Sequence, residues 1–250
     1  MATTCPQPVA LVTGGALRVG RAIVKMFAQN GYAIAIHANR SRAKAEQLAE
    51  QLTHQNPMVR VLSADMRDEA SIREMIDCVY NDFGRLDVLV NNAAIWSPLP
   101  LEEVTGEEVR KYFDINTLGT FITCQHAGLR MAAQDHGSVI INIGDWSVAR
   151  PYPDYAAYFP SKGAIPTLTR MFAVELSARN PLVRVNAILP GPVVFPPDLP
   201  VAAQQEAIES TLVKHAGTPQ NVAHAALFLA ENDFVTGVCL PVDGGRTIGR

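Results

Sequence analysis

Tyr158 and Lys162 stand four positions apart, the spacing that brings two side chains to one face of a helix. A lysine ammonium beside a phenol favours the phenolate and lowers its pKa, so the pair reads as a proton-transfer couple for near-neutral pH. Such a pair also arises by chance, and its meaning depends on what lies upstream. There, the apolar run Val9–Val12 leads into Thr13-Gly14-Gly15-Ala16-Leu17-Arg18-Val19-Gly20-Arg21 and then into a helical pattern. A glycine turn between strand and helix lets backbone close on a pyrophosphate, where helix N–H groups and the helix dipole favour negative charge. Many strand–helix turns need glycine for conformational reasons alone, but this one occupies the first such junction of the chain.

The end of the second strand candidate names the nucleotide. A site for NAD usually offers Asp or Glu there to the ribose 2′-hydroxyl. This chain has His37-Ala38-Asn39-Arg40-Ser41 instead, and a guanidinium with a hydroxyl suits a 2′-phosphate. Basic residues at a helix start are otherwise unfavourable unless an anion is present, so NADP(H) is the expected cofactor.

Seven short apolar runs carry these residues: Val9–Val12, Tyr32–His37, Val59–Leu62, Leu86–Val90, Val139–Ile143, Val183–Ile188 and Val238–Val242. Helical patterns fill the gaps at 21–29, 42–51, 69–82, 101–113, 115–134, 155–178, 201–214 and 219–230. Uniformly apolar strands separated by helices predict a seven-stranded parallel sheet covered on both faces, an α/β doubly wound Rossmann fold in a single domain over residues 1–250. Trp96 falls just past the fourth strand's carboxyl end, where ligands sit in such sheets, and reads as a stacking wall for a flat ring.

The 250 residues are 48% hydrophobic and 18% charged, ample for a core and unlike a disordered chain. With 21 Lys+Arg against 24 Asp+Glu, the net charge of −3 gives no electrostatic footprint for nucleic acid or an anionic membrane. No apolar run approaches the roughly 18–20 residues that span a bilayer. The opening Met1-Ala2-Thr3-Thr4-Cys5-Pro6 lacks the pattern of a secretory leader, and a cytoplasmic location is expected. The four Cys have no CxxC spacing and the six His no HExxH, so no metal is expected.

From Thr13 to Gly245 the chain resembles the short-chain dehydrogenases/reductases. The matching pieces are the glycine turn, Asp65 after the third strand, Asn91-Asn92-Ala93, Asn116, Tyr158-x-x-x-Lys162, Pro190-Gly191 and Val242-Asp243-Gly244-Gly245. The resemblance implies that Gly14, Arg18, Val19, Gly20, His37, Asn39, Arg40, Ser41, Asp65, Met66, Asn91, Ala93, Tyr158, Lys162, Pro190 and Gly191 bind the cofactor. Within that set Asp65 contacts the adenine, Asn91 lies beside the cofactor and Lys162 holds the nicotinamide ribose. Asn116 would hold a proton-relay water. The family also commonly assembles as a homotetramer through helices around 101–134 and 155–178, and the closing Arg246–Arg250 would approach a neighbouring subunit's site.

Two departures are similar to the pteridine reductase branch: Arg18 in place of the middle glycine, and Asp145 in place of the catalytic serine. Asp145 cannot donate a hydrogen bond to a carbonyl and repels a developing alkoxide, but it can accept from the amino and ring N–H groups of a pterin. A structural ion pair with Lys162 or Arg18, or decay of ketone reduction, are its alternatives. The expected reaction is NADPH-dependent reduction of a pterin or dihydrofolate C=N bond, with Tyr158, Lys162, Asp145 and Asn116 catalytic and Arg18, Trp96, Asp145 and Tyr158 at the substrate. The alternatives are a carbonyl (ketone or 3-oxoacyl) reductase of the same family and a catalytically silent NADPH-binding regulator. Against the pterin reading, Ala94 stands where some relatives carry a polar residue, and Val193-Val194-Phe195 lacks the usual threonine. Pro160 is tolerable in a first helical turn, whereas Pro166 should free the Lys162 carbonyl and kink the helix.

Overall fold

Neighbouring residues of one strand point to opposite sides of a sheet, and here both sides are apolar. Val9 and Leu11 enter one core with Ala33, Ala35 and Leu89, while Ala10 and Val12 enter another with Ile34, Ile36, Val88 and Val90. The computed structural model describes residues 5–53 and 58–249. Residues 1–4, which entered the argument against a leader, and Arg250 lie outside the described residues.

The strands are β1 (Val9–Val12), β2 (Ala33–His37), β3 (Val59–Leu62), β4 (Val88–Asn91), β5 (Ser138–Ile143), β6 (Val183–Pro190) and β7 (Cys239–Val242). They form the expected parallel sheet, in the order β3-β2-β1-β4-β5-β6-β7. The order reverses between β1 and β4, which opens a crevice at their carboxyl ends. One core is covered by α1 (Arg18–Gln29), α2 (Arg42–Thr53) and α8 (Pro219–Glu231), the other by α3 (Glu69–Phe83), α5 (Gly119–Ala132) and α6 (Tyr158–Ser177). Each fully buried Leu, Ile or Phe contributes roughly 1.5–3 kcal/mol. No helix among the described residues is long and apolar enough to cross a membrane.

The two helical patterns at 101–113 and 115–134 resolve differently from expectation. Leu101–Glu103 is a 3₁₀ turn, and α4 (Gly106–Tyr112) starts where the Thr105 hydroxyl accepts from the Glu108 N–H at 3.2 Å. The chain then widens into a π-helical turn, Phe113–Leu118, before α5. Gly119 opens α5 against the loop after β3, where a Cβ would stand 2.5 Å from the Met66 carbonyl oxygen. The predicted helix 201–214 is the shorter α7 (Val201–Glu209). Leu86, expected to start the fourth strand, has its N–H and C=O taken by the Gln134 side chain instead of the ladder. Pro160 does fall in the first turn of α6, and Pro166 lies inside a helix that continues unbroken to Ser177. Buried Ile165 and Thr169, the latter accepting from Asn142 at 3.0 Å, hold α6 on either side of that proline.

Candidate active site

The glycine turn is set by a buried histidine. Gly14 has φ +62° and donates its N–H to His37 Nδ1 at 3.2 Å, while His37 Nε2 donates to the Ala64 carbonyl at 3.1 Å. Those roles place the proton on Nε2, and burial lowers the His37 pKa and keeps the ring neutral. His37 therefore reaches the cavity as the support of the turn, with both nitrogens already used. A Cβ on Gly20 would run into the Gly14 carbonyl oxygen and stand 2.6 Å from Asn92 Nδ2. The Asn92 amide closes the turn from the β4 side, donating to the carbonyls of Thr13 (3.0 Å) and Gly14 (3.1 Å).

Helix α1 begins at Leu17 without a side-chain cap and without an acidic residue in its first turn. By contrast α3 is capped by Asp68, and α4 by Thr105. Arg18, Val19 and Gly20 line a cavity of about 1340 Å³ that runs along the carboxyl ends of the strands. An uncapped helix start facing such a space is a donor set that a diphosphate completes, and the residues fit a dinucleotide. Asn39, Arg40 and Ser41 line the same cavity, with Lys44 beside them. Arg42 is engaged by Glu46 at 2.8 Å, whereas Arg40, Lys44 and Arg18 form no ion pair among the described residues. Arg18 adopts φ +49°, left-handed backbone that costs a non-glycine residue roughly 1–2 kcal/mol. Asp65 and Met66 also reach the cavity, but Asp65 is held by Arg67 at 2.6 Å, which keeps its carboxyl below the ordinary range. Ala93, Pro190 and Gly191 complete the wall, and Gly191 is pressed against the Asp243 Cα, where a Cβ would come within 2.5 Å.

The chemistry lies past β5. Asp145 Oδ1 accepts from the Ser147 N–H (2.9 Å) and hydroxyl (2.5 Å), and this turn aims Oδ2 at Tyr158, whose phenol donates to it at 2.7 Å. Lys162 Nζ donates to the Ile143 carbonyl at 2.7 Å. This corrects the expected couple: the phenol pairs with a carboxylate, not with the ammonium. Burial, and then Asp145, push the Tyr158 pKa well up, so the group is held as a neutral phenol. Burial brings the Lys162 ammonium down to about 8, with Asp145 opposing the change. Among the described residues Asp145 forms no ion pair with Lys162 or Arg18, so the structural-pair alternative for it does not hold.

Two predicted residues do not line the cavity. Asn91 is buried, and its amide donates to Asn142 at 2.9 Å under the site; its neighbour Asn92 is the one that faces the glycine turn. Asn116 is fully buried in the π turn, where its side chain brackets Ile95 (accepting from N at 2.9 Å, donating to O at 3.1 Å) and donates to Ser161 at 3.0 Å. It ties the strand-4 loop to α6.

Trp96 is half-buried and lines the cavity, with Tyr155 stacked on it at 5.1 Å and an interplanar angle of 17°. Tyr155 thus covers one face of the indole, which also packs against the cluster of Tyr112, Ala157, Tyr158 and Phe159. Tyr152 and Tyr155 extend this aromatic wall, and Lys44, Arg67 and Arg246 add cations that the sequence reading did not assign to the site. Lys44, four residues after Arg40, was detectable by helical spacing. Arg246, in the closing segment expected to approach a neighbouring subunit's site, lines its own chain's cavity.

Residues 15–247 match the family described as Enoyl-(Acyl carrier protein) reductase. The chain is 34% identical to a putative ketoacyl reductase 2 of granaticin polyketide synthesis from Streptomyces violaceoruber, covering 98% of each chain. It is 30% identical to pteridine reductase 1 of Leishmania tarentolae, covering the whole of both. Among solved structures it is similar to a blue fluorescent protein from a metagenomic library in complex with NADPH, with a TM-score of 0.87 and 34% identity over 96% of this chain and 97% of that one. With the glycine turn, the switch-point cavity and the Tyr158–Lys162 helix in one continuous site, the chain belongs to the short-chain dehydrogenase/reductase family of NAD(P)-dependent oxidoreductases.

Proposed function

We propose that this protein is an NADPH-dependent reductase that adds hydride to a C=N carbon of a pterin or dihydrofolate, with Tyr158 protonating the adjacent nitrogen. The reading is carried by the 2.7 Å hydrogen bond from the Tyr158 phenol to Asp145. Asp145 stands where the family's ketone reducers use a serine donor, and its oxygens here only accept. An acceptor pair suits the amino and ring N–H groups of a pterin and opposes an alkoxide.

The reduced dinucleotide, bound at the glycine turn, supplies the hydride. Arg40, Ser41 and Lys44 take the 2′-phosphate through charge-assisted hydrogen bonds, the basis of selection against NADH. Tyr158 is kept in the protonated form that a reduction requires, because burial and Asp145 both disfavour its phenolate. Lys162, anchored on the Ile143 carbonyl, holds the ribose beside it. Trp96 and Arg18, both lining the cavity, orient the ring, so that protonation and reduction occur on one fixed geometry. Four free cysteines accord with a cytoplasmic enzyme. Exposed Leu118, Leu129 and Val174 accord with a homotetramer packed through α5 and α6.

A second reading, a carbonyl reductase for ketone or 3-oxoacyl substrates, is favoured by the apolar side of the cavity at Ile95, Val193, Phe195 and Leu199. NADPH oxidation measured against dihydropterins, quinonoid pterins, dihydrofolate and simple ketones separates the two. Asp145→Ser should impair pterin reduction more than carbonyl reduction. The opposite ranking replaces the first reading with the second.

A further inference from the structure

Beside the reacting groups, the cavity is lined by a rigidly held cation. Arg246 follows Gly244 and Gly245, whose φ values of +62° and +80° fold the chain back sharply after β7. The buried Asp243 carboxylate fixes that turn, accepting from the N–H groups of Gly245 (2.9 Å) and Thr247 (2.7 Å). Arg150 clamps it from outside, donating to the carbonyls of Arg246 (3.0 Å) and Gly249. The Arg246 guanidinium lies 4.1 Å from the centre of the Trp146 ring and lines the cavity. An arginine is charged at every physiological pH, yet this one forms no close ion pair among the described residues, and the Asp145 and Glu206 carboxylates of the same cavity act on it only at longer range. Burial lowers its pKa, which marks a guanidinium partly stripped of water.

An aromatic series leads from the reaction centre to this charge. Trp96 stacks on Tyr155 (5.1 Å), Tyr155 meets Tyr152 edge-on (5.1 Å), and Tyr152 stacks with Trp146 (6.4 Å), on which Arg246 sits. We infer that Arg246 is a specificity-determining residue that binds an anionic substituent, a carboxylate or a phosphate, carried by the substrate at a distance from the reduced bond. A partly desolvated cation without a close counter-ion is unfavourable by itself and becomes favourable when a carboxylate or phosphate takes two of its donors. On the pterin reading, on which the substrate class rests, the preferred substrate is a dihydropterin bearing an acidic tail.

The test compares three substrates: dihydrofolate (carboxylate tail), a dihydropterin phosphate ester, and a neutral dihydropterin. In Arg246→Gln the ratio of kcat/KM for an acidic-tailed substrate to that for the neutral one should fall on the order of 10- to 100-fold, mostly through KM. Arg246→Lys should restore part of it. A fall confined to dihydrofolate or to the phosphate ester identifies which anion the site takes. Thermal melts and NADPH titration check that both variants are folded and bind cofactor. Ratios unchanged within about threefold, or equal losses on all three substrates, overturn the inference. If the parent enzyme reduces no pterin, the pterin reading has failed separately. The same ratio is then read on 3-oxo esters with and without a terminal carboxylate, and a fall there upholds Arg246 as an anion site.

Discussion

At one end of the cavity Gly14, Gly20 and the uncapped start of α1 present backbone, whereas at the other Tyr158, Asp145, Trp96 and Tyr155 present side chains. The backbone end has almost no tolerance for an added atom, because its donors are peptide groups held by close approach. The side-chain end is built from groups that can be exchanged one at a time without altering the chain path. On the proposed function, cofactor binding falls to the part of the site least open to change, and reaction and substrate choice to the part most open to it. The comparison makes distinct demands on four experiments.

The largest effect belongs to the side-chain end. Tyr158→Phe should reduce kcat by about 10²- to 10⁴-fold, with NADPH affinity by fluorescence titration changing little. Turnover near that of the parent would mean that the proton comes from another group. Gly20→Ala should do the reverse, weakening NADPH binding about 10- to 100-fold through a clash of roughly 1–3 kcal/mol with the Gly14 carbonyl and Asn92. Parent-like affinity would remove the claim that this end has no room.

The pH profile is the next test. Burial places Lys162 at about 8, so cofactor-dependent kcat/KM should decline as pH rises through that region and the ammonium is lost. Asp145 supports the charge, so Asp145→Asn should move the decline to lower pH. For folding the sign is opposite. A lysine with a depressed folded value destabilises below about 8, and the penalty disappears as pH rises towards its ordinary 10.5. Denaturant melts of Lys162→Met should lack that rise. The smallest effect is Arg18→Gly, which relieves left-handed strain and should raise stability by about 1 kcal/mol, or roughly 2–4 °C in Tm. The same variant should reduce turnover, because the strained arginine faces the site. A gain in stability without loss of activity would make Arg18 a bystander.

The strands were legible because a buried parallel strand must be apolar throughout, and seven such runs are spaced by helical patterns. The glycine turn and the Arg40 segment, which line one cavity, stood out in the sequence because each is a run of residues adjacent in the chain. The directions of the Asn91 and Asn116 side chains were not legible in the sequence, for one physical reason. An amide side chain serves a cavity or a buried network equally well, and its direction depends on partners 51 and 45 residues away, Asn142 and Ser161. The break at 114 between two helical patterns was legible, but its form as a π turn over Phe113–Leu118 was not, because such a turn keeps nearly the same apolar spacing as the helix it interrupts. Arg246 was missed as a site residue because its placement needs the Asp243 turn and the Arg150 clamp, 96 positions away in the chain.

By itself the sequence determined the sheet and the family, since burial patterns and short motifs act over a few consecutive residues. Only the tertiary structure decided that Tyr158 donates to Asp145 while Lys162 turns to Ile143. That choice depends on how deep α6 lies against the end of β5, and burial there reverses the proton affinity expected from helical spacing alone.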